Sequence, residues 1–197
     1  AGTVSGYPLG TTASLRDIVC HGSREAWAVG EGGLLVGTRD GGARWRRIDT
    51  GVSVDMRGVA TSSGRSVFAV GDGVVLVSDD GGERFRRIPT PDISFTAVAA
   101  FPTGAALVVA GDGSIHRYAD GRFDELVPAG GAPLHGVALA GERGRALAVG
   151  DVGRALASDD AGATWSVVTL PTARSLRDVW LVGGGDRFVA VGDPGVV

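Results

Sequence analysis

Short apolar runs alternate with small polar breaks along the whole of this chain. The first runs are "LRDIV" from Leu15, "AWAVG" closing on Gly30 and "LLVGT" closing on Thr38. A polar octapeptide follows, overlapping the run "RWRRI" that ends at Ile48. Short runs of this kind, rich in branched residues and bounded by Gly and Asp, read as β-strands. No stretch sustains the period of a helix. The pattern then begins again. The glycine that closes each second run recurs at Gly30, Gly71, Gly111, Gly150 and Gly192, at intervals of 41, 40, 39 and 42 residues. Each unit opens on a matching first strand, at Leu15, Met56, Phe95, Leu134 and Leu176.

Four strands in about forty residues is the unit of a β-propeller. The expectation is therefore an all-β chain forming one domain over residues 1–197, a propeller of five four-stranded blades. The repeats run about 15–55, 56–94, 95–133 and 134–175, with 176–197 and 1–14 sharing the last. In that blade, strands from the two ends of the chain would meet. Tyr7 then stands twelve residues after Gly192 around the closure, as Phe123 stands twelve after Gly111. Closure of this kind removes exposed sheet edges; the plainer alternative is a piece cut from a longer propeller.

Composition narrows the function. A net charge of −3 argues against binding nucleic acid through bulk charge. No apolar run approaches the length of a membrane span. All nineteen basic residues are arginine, and the chain has no asparagine to carry an N-linked glycan. One cysteine, Cys20, allows no internal disulfide and is expected as a buried thiol. His21, His116 and His135 are scattered without ligand spacing, so no metal and no cofactor are expected. The chain begins "AGTVSG" without methionine. A removed export signal would account for that, as would a sequence trimmed at this end; an extracytoplasmic (periplasmic or secreted) monomer is the expectation, with a cytoplasmic one the alternative.

The polar octapeptide recurs as "TRDGGARW" to Trp45, "SDDGGERF" to Phe85 and "SDDAGATW" to Trp165, with a worn copy, "YADGRF", ending at Phe123. It resembles the Asp-box, the bacterial neuraminidase repeat, through Asp40, Gly42 and Trp45, through Asp80, Gly82 and Phe85, and through Asp160, Gly162 and Trp165. The resemblance implies a turn joining the third and fourth strands of a blade, away from the ligand face. The side chains account for such a turn: Asp accepts backbone N–H groups, Gly supplies positive φ, and the aromatic folds back onto apolar surface. The fuller repeat is similar to those of photosystem II assembly and stability factors and their non-photosynthetic bacterial relatives. Those look like seven-bladed rings, and the five blades expected here depart from them.

The Asp-box is also a hallmark of sialidases, which need an arginine triad and a Tyr–Glu nucleophile pair. Only Tyr7 and Tyr118 are present, and "FRRIP" at 85–89 lies where the first repeat has "WRRID", in a fourth strand. No catalytic residue is assigned, and a sialidase-type glycoside hydrolase is the least favoured reading. The second residue of each first strand is Arg16, Arg57, Thr96, His135 or Arg177. First strands line a propeller's channel, so these five would form a partly basic ring at one mouth, suited to a protein or an acidic peptide. The plainer alternative pairs Arg16 and Arg177 with their neighbours Asp17 and Asp178. Arg44, Arg46, Arg47, Arg84, Arg86 and Arg87 would form an outer basic stripe, or simply a solvated edge that discourages strand addition. A non-catalytic docking propeller is the expectation. A sugar-binding lectin is the alternative, although the recurrent aromatics are already assigned to the turns.

Overall fold

The computed structural model describes residues 9–140, 144–182 and 187–195. Each repeat forms an antiparallel meander in chain order. The first sheet holds β1 (Leu15–His21), β2 (Glu25–Gly30), β3 (Leu35–Thr38) and β4 (Arg46–Arg47). The second holds β5 (Met56–Thr61), β6 (Val67–Gly71), β7 (Val74–Ser78) and β8 (Arg86–Ile88). The third holds β9 (Phe95–Ala100), β10 (Ala106–Ala110), β11 (Ile115–Ala119) and β12 (Arg122–Val127). The fourth holds β13 (Leu134–Ala140), β14 (Arg145–Gly150), β15 (Ala155–Ser158) and β16 (Ser166–Val167). The fifth has two described strands, β17 (Leu176–Val182) and β18 (Arg187–Gly192). This is a β-propeller.

The core lies between sheets. Trp27, Val29 and Leu35 on the back of the first sheet pack against Met56, Val59 and Leu76 on the front of the second. The same joint recurs with Phe68, Val75 and Val77 against Phe95 and Val108, with Leu107 and Val109 against Leu134 and Val137, and with Val149 and Ala155 against Leu176 and Val179. Strands buried on both faces read as near-continuous apolar runs, which is why these segments are so uniformly Val and Ala.

The glycine that ends each second strand is fixed by close approach of backbone. A Cβ at Gly71 would lie 2.2 Å from the Asp55 carbonyl oxygen, and those at Gly30, Gly150 and Gly192 would meet Ser14, Pro133 and Ser175 at 2.1, 1.9 and 2.1 Å. Only the third repeat is relaxed: a Cβ at Gly111 would lie 3.7 Å from the Ser94 carbonyl oxygen, an ordinary contact.

The first strands line a common channel. β1 packs beside β5, β5 beside β9, β9 beside β13 and β13 beside β17, but β17 does not pack on β1 in the same way. Leu15 is 47% exposed, while its counterparts Met56, Phe95 and Leu134 are at 0% and Leu176 at 2%. Among the described residues a seam therefore separates the fifth sheet from the first. Leu15, Ile18 and Cys20 stand on its first-sheet lip, and Trp180, Val182 and Val191 on its fifth-sheet lip, all exposed. Cys20 is thus not the buried thiol that its apolar run suggested: its side of β1 has no sheet packed in front of it. Tyr7, the residue expected to complete the fifth repeat, lies outside the described residues. Leu9 and Ala13 pack against Ala28, Leu34 and Val36 of the first sheet.

Candidate functional site

All five ring positions are bulged residues. The pairing of β1 with β2 passes from Leu15–Gly30 to Asp17–Val29 and skips Arg16. The ladders of β5, β13 and β17 skip Arg57, His135 and Arg177 identically, and that of β9 with β10 skips Thr96. A bulge takes one residue out of the ladder and re-aims its side chain. Here it turns all five toward one end of a channel of about 500 Å³. The sequence-predicted ring is brought together by the structure.

The ring is not, however, an unbalanced basic one. Arg16 Nη2 lies 3.1 Å from Glu31 Oε1 and 3.0 Å from Asp55 Oδ2. Arg57 makes a two-pronged contact with Asp72, at 3.0 and 3.1 Å, and the Ser94 hydroxyl donates to the same carboxylate at 2.6 Å. Arg177 Nε reaches Asp193 at 2.6 Å, and its Nη1 lies 3.4 Å from Asp151. The Thr96 hydroxyl sits 3.1 Å from the Val109 carbonyl and 2.7 Å from that of Leu134, tying the third sheet to the fourth. His135 Nε2 is 2.9 Å from Asp151 and 3.1 Å from Arg177 Nη1. The first contact requires a proton on Nε2 and the second a lone pair, so the imidazole serves one neighbour at a time. The partners of Arg16 and Arg177 are therefore not the adjacent Asp17 and Asp178.

Most of these carboxylates share a repeat position. Glu31, Asp72, Asp151 and Asp193 each follow the second-strand glycine, as Asp112 does in the third repeat. The backbone N–H of each of the first four donates to the residue before its first strand. Sequence reasoning missed them as members of the site, although "VGE", "VGD" and "AGD" were a signal in plain view. In the third repeat Thr96 offers no cation, and Asp112 instead accepts the Ser114 hydroxyl at 2.6 Å. The arginine beside Asp72 holds that carboxyl below the ordinary range, helped by Ser94. Asp151 is lowered by Ser175 and then by His135. The guanidiniums of Arg57 and Arg177 are raised in turn, by Asp72 and by Asp193.

Two further acids face into the channel. Asp17 accepts the Ile18 N–H at 2.8 Å and, across the joint, the Val59 N–H at 2.8 Å. Asp178, its counterpart on β17, accepts the Val179 N–H at 2.7 Å and no other hydrogen bond among the described residues. Burial raises both carboxyls, and Asp17 adds to the rise at Asp178.

The acidic turns lie elsewhere and work on the fold. In the fullest, the Ser158 hydroxyl donates to Asp160 at 2.8 Å and accepts the Gly162 N–H at 2.9 Å. Asp160 also accepts the Thr164 N–H and hydroxyl, at 2.8 and 2.6 Å. Thr38 with Asp40 and Ser78 with Asp80 repeat the arrangement, with Gly42 and Gly82 as the N–H donors. Phe85 and Trp165 fold back on apolar clusters, and Trp45 packs on the first sheet. The outer arginines are partly consumed as clamps between sheets: Arg46 pairs with Glu83 at 2.7 Å and Arg86 meets the Tyr118 hydroxyl. Among the described residues, no three His, Cys, Asp or Glu side chains are gathered so as to hold a metal ion. No described helix is long and apolar enough to cross a membrane.

No protein-family model matches this chain, and no curated protein does. Solved structures similar to it include YCF48 bound to D1 peptide, 24% identical, with a TM-score of 0.71 over 93% of this chain and 62% of that one. YCF48 from Cyanidioschyzon merolae is 22% identical, with a TM-score of 0.68 over 90% of this chain and 63% of that one. An ancestral GH74 enzyme is 13% identical, with a TM-score of 0.75 over 89% of this chain and 27% of that one. The chain thus spans less than two thirds of the YCF48 chains. At these identities the likeness establishes the propeller fold.

Proposed function

We propose that this propeller is a non-catalytic docking platform that holds a protein or peptide over the channel mouth ringed by Arg16, Arg57, Thr96, His135 and Arg177. The observation that carries the reading is the set of five bulges, whose unlike side chains line one channel while the ladders resume on either side. The similar YCF48 structure with a bound D1 peptide supports the use of such a fold for a peptide. Half-exposed ion pairs contribute little stability and exchange readily. A ligand carboxylate can therefore replace Asp193 on Arg177 or Glu31 on Arg16, while the displaced acids accept N–H groups or cations from the same ligand. The mouth suits an acidic peptide that also carries donors better than a simple anion. Binding of a fluorescent acidic peptide, followed by anisotropy, is expected to weaken as salt rises and to be lost in Arg57→Ala/Arg177→Ala. Unchanged affinity in that variant sinks the site. A glycan array run beside it tests the lectin reading, and sugar-competable hits would favour it. Assays on sialosides and other glycosides are expected to show no turnover. Turnover that is lost on Asp17→Asn or Asp178→Asn would make the channel carboxylates catalytic.

A further inference from the structure

We infer that Arg154 is a second carboxylate-binding position of the docking face, taking an acidic group of the docked peptide at the joint between the third and fourth sheets. The inference rests on the docking reading and adds a point of attachment outside the ring. Arg154 follows the turn between β14 and β15, the same turn that brings Asp151 to His135 and Arg177 at the mouth. Its carbonyl accepts the Gly150 N–H, as the Leu34 carbonyl accepts that of Gly30 and the Ser114 carbonyl that of Ala110. Leu34 and Ser114 hold those turns with uncharged, buried side chains. The turn itself therefore has no need of a guanidinium.

The third repeat makes room for one. Arg154 Nη1 donates to the Ala132 carbonyl, in the link from β12 to β13, and two glycines lie against the guanidinium. A Cβ at Gly131 would come within 2.1 Å of Nη1, and one at Gly113 within 2.3 Å. The hydrogen bond and this cradle fix the side chain before any ligand arrives, which reduces the entropy lost on binding. What the guanidinium lacks is an anion. Arg16, Arg57 and Arg177 each meet a carboxylate, whereas Arg154 makes no ion pair among the described residues. Asp112, the neighbour of Gly113, turns instead to the Ser114 N–H and hydroxyl. Burial without a counter-charge pulls the guanidinium below its ordinary range. A carboxylate restores the balance, and it can do so through a two-pronged contact because one hydrogen bond leaves most of the N–H donors for a ligand. The ring offers no cation at this joint, where Thr96 closes the inner end on the Leu134 carbonyl. Ala132 stands three residues before His135, so the two are at most about 10 Å apart along the chain. A single short peptide can therefore serve the mouth and Arg154 together.

The test uses the full chain and fluorescein-labelled peptides that carry two Asp residues separated by none to about four glycines, each gap adding about 3.5 Å of reach. Each is compared by anisotropy with a partner in which the second Asp is Asn. At the matching spacing the Asp peptide is expected to bind at least about tenfold more tightly than its Asn partner, the scale of one charged hydrogen-bonded contact. Arg154→Gln is expected to bring that ratio close to one. Gly131→Ala keeps every charge but fills the cradle, and it is expected to reduce the ratio as well. Arg65→Gln removes an exposed charge from the turn between β5 and β6 and is expected to leave the ratio in place. A ratio unchanged in Arg154→Gln, with binding still lost in Arg57→Ala/Arg177→Ala, overturns the Arg154 site and leaves mouth docking intact. Equal weakening of the Asp and Asn peptides in Arg154→Gln, with a lower melting temperature, makes the arginine a strut between sheets and also overturns the site. A ratio lost in Arg154→Gln but untouched by Arg57→Ala/Arg177→Ala supports the site against the mouth. No binding of any peptide overturns both.

Discussion

A single residue can be out of register with its repeat, and Val152 is. It follows Asp151 where the first repeat has Gly32 after Glu31, and both adopt left-handed backbone, φ 53° at Val152 and 63° at Gly32. A branched side chain resists that conformation, and Val152 is exposed, so nothing is gained by packing it. Val152→Gly is therefore expected to stabilise the protein by about 1 kcal/mol, read as a higher melting temperature; a lower one would show that the turn is not strained. Asp160 sits at the other extreme, with every local donor arranged around it and its pKa lowered from 3.8 to about 2, first by Thr164. A carboxyl lowered on folding stabilises the fold above its unfolded value and loses that contribution as the pH falls. The loss is expected between about pH 4 and pH 2. Thermal melts over that range should fall less steeply for Asp160→Asn than for the parent chain, and identical slopes would remove the role given to this carboxylate.

At the scale of the strand, the glycine and the bulge form one device. In every repeat but the third, the carbonyl of the residue before the first strand closely approaches the second-strand glycine, beside the bulged residue. Gly71→Ala is expected to cost more than about 2 kcal/mol because backbone must move, while Gly111→Ala is expected to stay within about 0.5 kcal/mol. Urea denaturation of the two variants checks this, and equal losses would refute it. The glycines, strand order and acidic turns were legible in the sequence because each depends on contacts within a repeat. So was the ring of Arg16, Arg57, Thr96, His135 and Arg177, since one position in every first strand was occupied by a side chain out of keeping with the apolar run. Their partners are not legible there: Glu31 and Asp72 lie fifteen residues further along the chain and meet Arg16 and Arg57 only once the strands fold back.

Among the described residues the sheets form a row of joints in which the first and the fifth are not matched to each other, and that could not be read from any one repeat. Leu15 and Met56 look equivalent in sequence; only the presence or absence of a sheet in front separates an exposed residue from a buried one. Stability in stacked repeats is the sum of each unit and its joints. Amide exchange is accordingly expected to be slowest in β6, β7 and β10, which have a sheet on either side, and fastest in β1, β17 and β18. Uniform protection around the channel would mean that the seam is shut in solution.

The bulges carry a consequence for how such a molecule changes over time. A residue lifted out of the ladder is not asked to pair, and this chain already places Arg, Thr and His at the same point of successive repeats. The five positions behave as interchangeable sockets in a fixed frame. New recognition can be acquired there by drift, one socket at a time, and a library randomised at those five codons should yield folded proteins with altered ligands.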